Sequence, residues 1–284
     1  MVKILCIGGG ITGQLVQVVV PSTVILDWRT AETGHKIQTR RFGANYLWEP
    51  LEGLPSIAFP VVTHIDGRPA TPESIHLYKV KVGKHYDTIL TTRVSRQFET
   101  ISTGHDAILP DPTIQFDCAV EKVDLDNRCV YLRSEQRIDY DLLISTIPLY
   151  ALLRMVDYTP PVPFRYDPIH VKIAPRPPDA PYPEDTVYVN YITSPTIFPY
   201  RVTDRDGSRH YESLNHMGGL TSRKIVPGKI HPHPYAESIR TKLLAQNVFC
   251  FGRFSTWEPK ELVHETYRTI RVWADELGLS QEKL

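Results

Sequence analysis

The chain has 284 residues, of which 42% are hydrophobic and 23% charged, and its 32 basic and 32 acidic side chains cancel. This composition predicts a globular protein with a large core and excludes a strongly basic fold that grips nucleic acid with its whole surface. No apolar run is long enough to cross a bilayer, and glycine interrupts the apolar start too early for a signal peptide. None of the four cysteines forms a CxxC pair, so we expect free thiols in a cytoplasmic protein.

The chain opens with a short apolar strand over residues 3–7, followed by a glycine-rich turn over residues 8–13. Gly8, Gly10 and Gly13 have the GxGxxG spacing of a dinucleotide-binding turn. The first glycine permits the tight turn, the second lets a pyrophosphate approach the backbone, and the third lets the helix pack on the strand. We expect that helix over Ile11–Val19, with Pro21 ending it, and its first N–H groups would face an anion.

A second buried strand over residues 23–26 ends at Asp27, which lies about 20 residues after Gly8, the spacing of the ribose-binding acid. A basic and glycine-rich stretch follows, in which Arg29, Lys36, Arg40 and Arg41 are either phosphate ligands or part of a solvated loop. The motif does not distinguish NAD from FAD.

Hydrophobic periodicity predicts further elements along the chain. Strands are expected over residues 59–65, 114–120, 123–125, 129–132, 140–146, 170–173, 186–192, 198–203, 210–213 and 247–251. Helices are expected from residue 71 and over residues 149–155, 236–245 and 262–277. Residues 86–101 are ambiguous.

At four stretches the chain resembles the flavin-dependent amine oxidase and UDP-galactopyranose mutase superfamily. They are the opening glycine turn with Asp27, the strand Cys118–Val123, the turn Ser145–Pro148, and the Gly252–Arg253 turn with Trp257. The family usually has glutamate where this chain has Asp27, and its members are considerably longer. The resemblance implies FAD as the cofactor, with these ligands: Gly8, Gly10, Thr12, Gly13, Asp27, Trp28, Arg29, Arg41, Val120, Thr146, Pro148, Gly252, Arg253 and Trp257.

The fold implied is α/β, with a Rossmann-like (GR2-type) FAD-binding domain and an interleaved, smaller antiparallel-sheet substrate domain. We assign residues 1–70, 112–160 and 236–284 to the FAD-binding domain. Residues 71–111 and 161–235 would form the substrate-binding part.

Catalytic roles are expected for Arg201, Tyr200 and Trp257, since Phe198–Arg201 resembles a mutase segment whose arginine faces flavin or substrate. A bidentate guanidinium would hold a carboxylate or phosphate. Aromatic side chains would line a dry pocket over the flavin, although ordinary sheet packing explains such a stripe equally well. The candidate walls are Tyr188, Tyr191, Tyr200, Tyr211 and Trp257.

The function expected is an FAD-dependent oxidoreductase that oxidises a C–N bond of a small amine or amino acid. The alternatives are a mutase-like isomerase of a nucleotide sugar and a non-catalytic flavin-binding module. A further hypothesis, from resemblance to flavoproteins of bacteriophage gene clusters, is that the amine oxidised is an amino acid attached to hypermodified thymidine in DNA. Two sets of basic residues would then contact phosphate: Lys79, Lys81, Lys84 and His85, or Arg201, Arg205 and Arg209.

The segment His231-Pro232-His233-Pro234 suggests a metal site, but the intervening prolines and the lack of a nearby cysteine or carboxylate pair argue against it. We therefore expect no metal. The sequence does not indicate an oligomeric state.

Overall fold

The computed structural model describes residues 2–30, 49–54, 56–82, 96–101, 114–183, 185–205, 207–218 and 222–279, with only the backbone of 56–58, 96–101 and 222. The chain divides into two compact units. The first comprises Met1–Ser56, Ile101–Phe164 and His233–Leu284, and the second comprises Ile57–Thr100 and Arg165–Pro232. The first unit is thus made of three stretches of the chain and the second of two.

The strands, in chain order, are β1 (Ile4–Ile7), β2 (Val24–Leu26), β3 (Ser56–Ile65), β4 (Arg68–Pro69), β5 (Arg96–Ile101), β6 (Ile114–Gln115), β7 (Val120–Asp124), β8 (Cys129–Leu132), β9 (Arg137–Asp139), β10 (Leu142–Ser145), β11 (Tyr166–Pro175), β12 (Val187–Tyr191), β13 (Arg201–Arg205), β14 (Ser208–Ser213), β15 (Ser222–Ile230) and β16 (Val248–Cys250). The helices are α1 (Ile11–Val19), α2 (Pro72–Val82), α3 (Leu149–Met155), α4 (Ala236–Leu244), α5 (Arg253–Thr256) and α6 (Val263–Glu276).

The first unit is built on a five-stranded sheet in the order β16-β10-β1-β2-β6, and every neighbouring pair is parallel. The α/β class and the Rossmann-type arrangement are thus confirmed. Because the strands are parallel, the turns that follow β1, β10 and β16 leave the sheet at the same edge. That edge is where ligands bind in open α/β sheets.

One face of this sheet is covered by α1 and α6. Apolar residues of β1 and β10, such as Ile4 and Ile144, form one buried cluster with residues of both helices. In α6, Tyr267, Ile270, Trp273 and Ala274 belong to that cluster because spacings of three and four place them on one side of a helix. The helix begins with a hydrogen bond of 2.7 Å from the Leu262 amide to the Glu265 carboxylate.

A three-stranded antiparallel meander, β7-β8-β9, belongs to the same unit. The sequence predicted strands over residues 123–125 and 129–132, which belong to β7 and β8, but not β9. Helix α3 packs against β7.

The second unit contains an eight-stranded sheet with the order β15-β11-β14-β13-β12-β3-β4, in which β5 also pairs with β3. Most pairs are antiparallel as expected, but β3 and β12 run parallel. This pairing puts residues 57–65 in the second unit, so the boundary falls after residue 56 rather than after residue 70.

Strand β15 was not predicted, because Pro227 and Gly228 interrupt its apolar pattern. A Cβ on Gly228 would overlap the backbone of Ile169 in β11, so glycine permits the close pairing there. The register of β11 with β15 shifts between Asp167 and Ile169, beside this position.

Candidate functional site

The opening glycine turn is joined to the turn after β10 through Thr146. The Thr146 hydroxyl donates to the carbonyl oxygens of Gly8 at 2.9 Å and of Ile7 at 3.1 Å. Gly8 has a φ of 111°, and a Cβ there would stand 2.5 Å from the Thr146 oxygen. Glycine is therefore required at this position both by the backbone and by the neighbouring turn.

Gly13 and Gly10 have different surroundings. A Cβ on Gly13 would overlap the carbonyl oxygen of Gly8, which shows how closely α1 packs on the turn. A Cβ on Gly10 would meet no atom of the described residues within 4 Å. Gly10 is the N-cap of α1, and that helix has neither a side-chain cap nor an acidic residue in its first turn. Open space thus adjoins a helix N-terminus that suits an anion.

Asp27 is only 2% exposed and is held by protein donors. Its carboxylate accepts a hydrogen bond of 2.8 Å from the Gly9 amide. It also accepts 2.9 Å and 2.8 Å bonds from the amide and Nε of Arg29, and pairs with the terminal guanidinium nitrogen as well. The role of Gly9 was not foreseen: its missing side chain leaves room for this carboxylate, which a Cβ would overlap.

The backbone after β2 is fixed by the segment that follows β6. The amide of Asp27 donates to the carbonyl of Gln115, and the carbonyls of Asp27 and Arg29 accept from the amides of Cys118 and Asp117, each at 2.9 Å. This pairing brings the segment leading to Val120 beside the end of β2. Trp28 lies at the same end and is 71% exposed.

The turn after β16 is joined to both other turns. Gly252 has a φ of 85°, and a Cβ there would stand 2.7 Å from the hydroxyl oxygen of Thr12 in α1. The Ser255 hydroxyl donates to the carbonyl of Ser145 at 2.7 Å, and the Phe251 amide donates to the same carbonyl at 3.0 Å. Three turns far apart in sequence therefore meet at one edge of the sheet.

Arg253 is tied to the start of α6. Its Nε donates to the carbonyl of Glu261 at 3.1 Å. The Glu261 carboxylate accepts 2.6 Å from the Thr266 hydroxyl and also bonds the Thr256 hydroxyl. Glu261 thus anchors the Gly-Arg turn, a role that its surface-type sequence context did not suggest.

Trp257 is buried at 2% exposure, with its ring edge-on to Tyr150 and Phe164 at centroid distances of 5.9 Å and 4.8 Å. In the described residues it is a packing residue of the first unit. Pro148 is the N-cap of α3, and its carbonyl accepts from the amides of Ala151 and Leu152. Arg41, Lys36 and Arg40 lie outside the described residues.

Arg201 and Tyr200, in the second unit, share one carboxylate. The Arg201 guanidinium pairs with Glu212, its neighbour across β13 and β14, and the Tyr200 hydroxyl donates to the other oxygen of Glu212 at 2.8 Å. Burial by itself would raise the pKa of Glu212, but the Arg201 charge and the two hydrogen bonds hold that pKa below its usual value. Burial and the Glu212 charge raise the pKa of Tyr200.

The sequence suggested that the Arg201 guanidinium binds an anionic ligand. In the structure its charge is already balanced by Glu212. Lys229 stands 4.3 Å from the centroid of the Tyr200 ring, and was not predicted. Tyr191 and Tyr78 pack edge to face at 5.0 Å, and Tyr188 packs on His64 at 5.5 Å, so these rings are used in the second unit's packing. Tyr211 is half-buried on β14.

The proposed phosphate-binding sets do not form open patches in the described part of the chain. Arg209 makes two bonds of 2.6 Å to the buried Asp204, and Arg205 lies 5.4 Å from the Phe59 ring. Lys81 donates to the carbonyls of Ile197 and Pro199 at 2.9 and 3.1 Å. Lys84 and His85 are outside the described residues, and Lys79 is on α2.

The two histidines of the HPHP segment have protein partners. His231 lies 3.1 Å from Asp167, and His233 stacks on Phe164 at 3.9 Å. Within the described ranges, no group of three His, Cys, Asp or Glu side chains is arranged to hold a metal. Nor do the same ranges contain a helix long and apolar enough to span a membrane.

The sequence matches no protein-family model and no curated protein sequence. Its fold is similar to that of reduced UDP-galactopyranose mutase, with a TM-score of 0.71 and 15% identity over 99% of this chain and 97% of that one. HpxO of Klebsiella pneumoniae, solved with FAD and uric acid, has a TM-score of 0.53 and 13% identity over 99% of this chain and 80% of that one. P. aeruginosa PqsL, in complex with 2-aminobenzoylacetate, has a TM-score of 0.54 and 12% identity over 98% of this chain and 86% of that one.

These similarities confirm the fold that the opening motif and the strand pattern predicted. The identities are too low to establish more than the fold. The structure joins three of the predicted turns through Thr146, Thr12 and Gly252, and it adds Gly9, Ser145, Ser255 and Glu261. Gly9 and Ser145 lie inside turns that the sequence indicated, whereas Ser255 and Glu261 carried no signal in the sequence. The protein has the fold of these three structures, one of which was solved with FAD, and its joined turns lie at the edge of the parallel sheet.

Proposed function

We propose that this protein binds FAD and is a flavin-dependent enzyme. The observation that supports this most directly is at the start of α1, where the described residues provide no side-chain cap and no atom within 4 Å of a Cβ on Gly10. HpxO, which shares the fold, was solved with FAD.

The residues present suit a dinucleotide. The amides at the start of α1 and the space beside Gly10 would accommodate the pyrophosphate. Trp28, Arg29 and the segment before Val120 lie at the end of β2, where the adenosine would bind. Arg253 and the Gly252 turn would hold the cofactor from the other side. When bound, FAD supplies the redox chemistry of its flavin ring, and the protein supplies binding, orientation and electrostatics.

For the reaction, we propose oxidation of a C–N bond in a small amine or amino acid, following the family resemblance. The substrate would be free or attached to a base in DNA. Arg201 pairs with Glu212 and Arg209 pairs with Asp204, so the charge of each arginine is already balanced within the protein. This favours a free amine or amino acid over one attached to DNA, whose phosphates would need unpaired arginines.

A mutase-like isomerisation of a nucleotide sugar is the second candidate. The observation that favours it is the structural similarity to UDP-galactopyranose mutase, which extends over nearly the full length of both chains.

The cofactor is tested by the absorbance spectrum of purified protein and by chromatography of the released chromophore. Gly10→Val is the decisive variant. The valine side chain would meet no described atom and the backbone there is extended, so the apoprotein should stay folded while losing FAD, with only the small loss of melting temperature that a poorer N-cap residue causes. Full FAD binding by a folded Gly10→Val protein would refute this placement.

The two reactions are separated by redox requirement. Amine oxidation predicts anaerobic bleaching of the flavin by substrate and recovery with oxygen. The isomerase predicts turnover of UDP-galactopyranose only after dithionite reduction, with no net electron transfer. A bound flavin that responds to neither treatment would favour the non-catalytic module.

A further inference from the structure

The acceptor capacity of the Asp27 carboxylate is fully used within the protein. A carboxylate offers about four acceptor positions. Asp27 accepts from the Gly9 amide, the Arg29 amide, the Arg29 Nε and the Arg29 terminal nitrogen. An acid that binds ribose must instead accept a hydrogen bond from a ribose hydroxyl.

Arg29 has donors that Asp27 does not use. A guanidinium carries five N–H groups, and two of these point to Asp27. The side chain of Arg29 is 12% exposed against 2% for Asp27. Of the two partners, Arg29 is therefore the one nearer the surface and the one with remaining hydrogen-bonding capacity.

The pair is also held from the backbone. The carbonyls of Asp27 and Arg29 both accept bonds of 2.9 Å from the segment after β6. The absent side chain of Gly9 admits the carboxylate on the opposite side. All of these contacts are made between residues of the chain itself, so the pair is part of the fold.

We propose that Arg29, rather than Asp27, contacts the adenosine ribose, and that Asp27 is a positioning residue for Arg29 and for the glycine turn. The ribose hydroxyl oxygens would accept hydrogen bonds from the guanidinium. This assignment rests on the proposed dinucleotide binding and differs from the role expected of an acid at the end of β2.

The first test needs no cofactor. Melting temperatures are measured for the apoprotein, Arg29→Met, Asp27→Asn and the double variant. Each single variant should melt lower, because it leaves a partner without its counter-charge, and the double variant should lose less than the sum. Additive losses would overturn the proposed pair.

The second test uses ADP and 2′-deoxy-ADP as probes, with dissociation constants measured by calorimetry on the apoprotein. Wild type should prefer ADP about tenfold, the size of a hydrogen bond to a charged group. Arg29→Met should lose this preference, and Arg29→Lys, which keeps a donor, should retain part of it. Asp27→Asn should keep the preference while binding both probes more weakly.

The opposite pattern, with the preference lost in Asp27→Asn and kept in Arg29→Met, would make the carboxylate the ribose ligand and overturn the assignment. A wild type that binds both probes equally would also overturn it. If wild type binds neither FAD nor ADP, the proposed function fails, whereas the apoprotein cycle still tests the pair.

Discussion

The hydroxyl of Ser255 donates a buried hydrogen bond of 2.7 Å to the carbonyl oxygen of Ser145, 110 residues earlier in the chain. Both residues are fully buried. The bond links the segment after β16 to the end of β10, which the Phe251 amide also contacts, so these two parts of the candidate site are held together by two hydrogen bonds.

We expect Ser255→Ala to lower the free energy of unfolding by about 0.5–1.5 kcal/mol, because the Ser145 carbonyl loses one of two donors and keeps the Phe251 amide. Chemical denaturation with urea measures this change. Ser238→Ala is the matched control, since its hydroxyl makes a similar bond to a carbonyl on an exposed helix start. Equal effects of the two substitutions would contradict a special role for the buried bond.

Gly252→Ala should be more harmful than a glycine substitution at another left-handed position. Gly252 and Gly67 both have positive φ, 85° and 73°, so an alanine at either position would cost roughly 1–2 kcal/mol of backbone strain. Among the described residues, a Cβ on Gly252 would have a neighbour within 4 Å, the side chain of Thr12, and a Cβ on Gly67 would have none. We therefore expect a larger loss of melting temperature for Gly252→Ala, with partial recovery in Gly252→Ala/Thr12→Ala. If the second substitution brings no recovery, the contact with Thr12 is not the cause.

The Glu212 cluster predicts a loss of stability in acid. The folded-state pKa of Glu212 lies below its usual value of 4.5, so its contribution is present above that pH and is lost as pH falls through the folded-state pKa. Urea unfolding between pH 7 and pH 3 should show the decline, and Glu212→Gln should show a shallower one. At pH 7, Glu212→Gln should cost about 3 kcal/mol, because Arg201 would keep its charge without a partner. Parallel pH curves for the two proteins would exclude Glu212 as a source of the acid sensitivity.

Two thiols should resist alkylation in the folded protein. Burial raises the pKa of Cys6 to about 12 and that of Cys250 to about 11, so neither forms thiolate near neutral pH. Iodoacetamide labelling with peptide mass spectrometry should find both unmodified until urea is added. Rapid labelling of Cys6 in the native protein would mean that the sheet beside the glycine turn opens readily.

Local patterns carried most of the information about the first unit. The span of α1 follows from Gly10 before it and Pro21 after it, and the parallel strands follow from short apolar runs that end in polar turns. Partners across the sheet carried no such signal, because a serine at position 255 looks the same in sequence whether exposed or buried. The pairing of Asp27 with Arg29 was hidden for a different reason: the spacing to Gly8 indicates an acid, but not which donors reach it first.

The second unit was harder to predict. Alternation of polar and apolar residues identified β12, β13 and β14, but Pro227 concealed β15. Arg201 was assigned to an anion because its neighbour Glu212 lies eleven residues later on another strand, and the register that joins them is fixed only by folding.

The position of β10 between β1 and β16 has a consequence for synthesis of the chain. Until residues 248–250 have left the ribosome, β10 has a row of unpaired backbone N–H and C=O groups along one side. Exposed strand edges of this kind recruit other strands and promote aggregation. Nascent protein should therefore be most vulnerable before Val248 emerges, and pairing of β16 protects that edge while bringing Gly252 to Thr12.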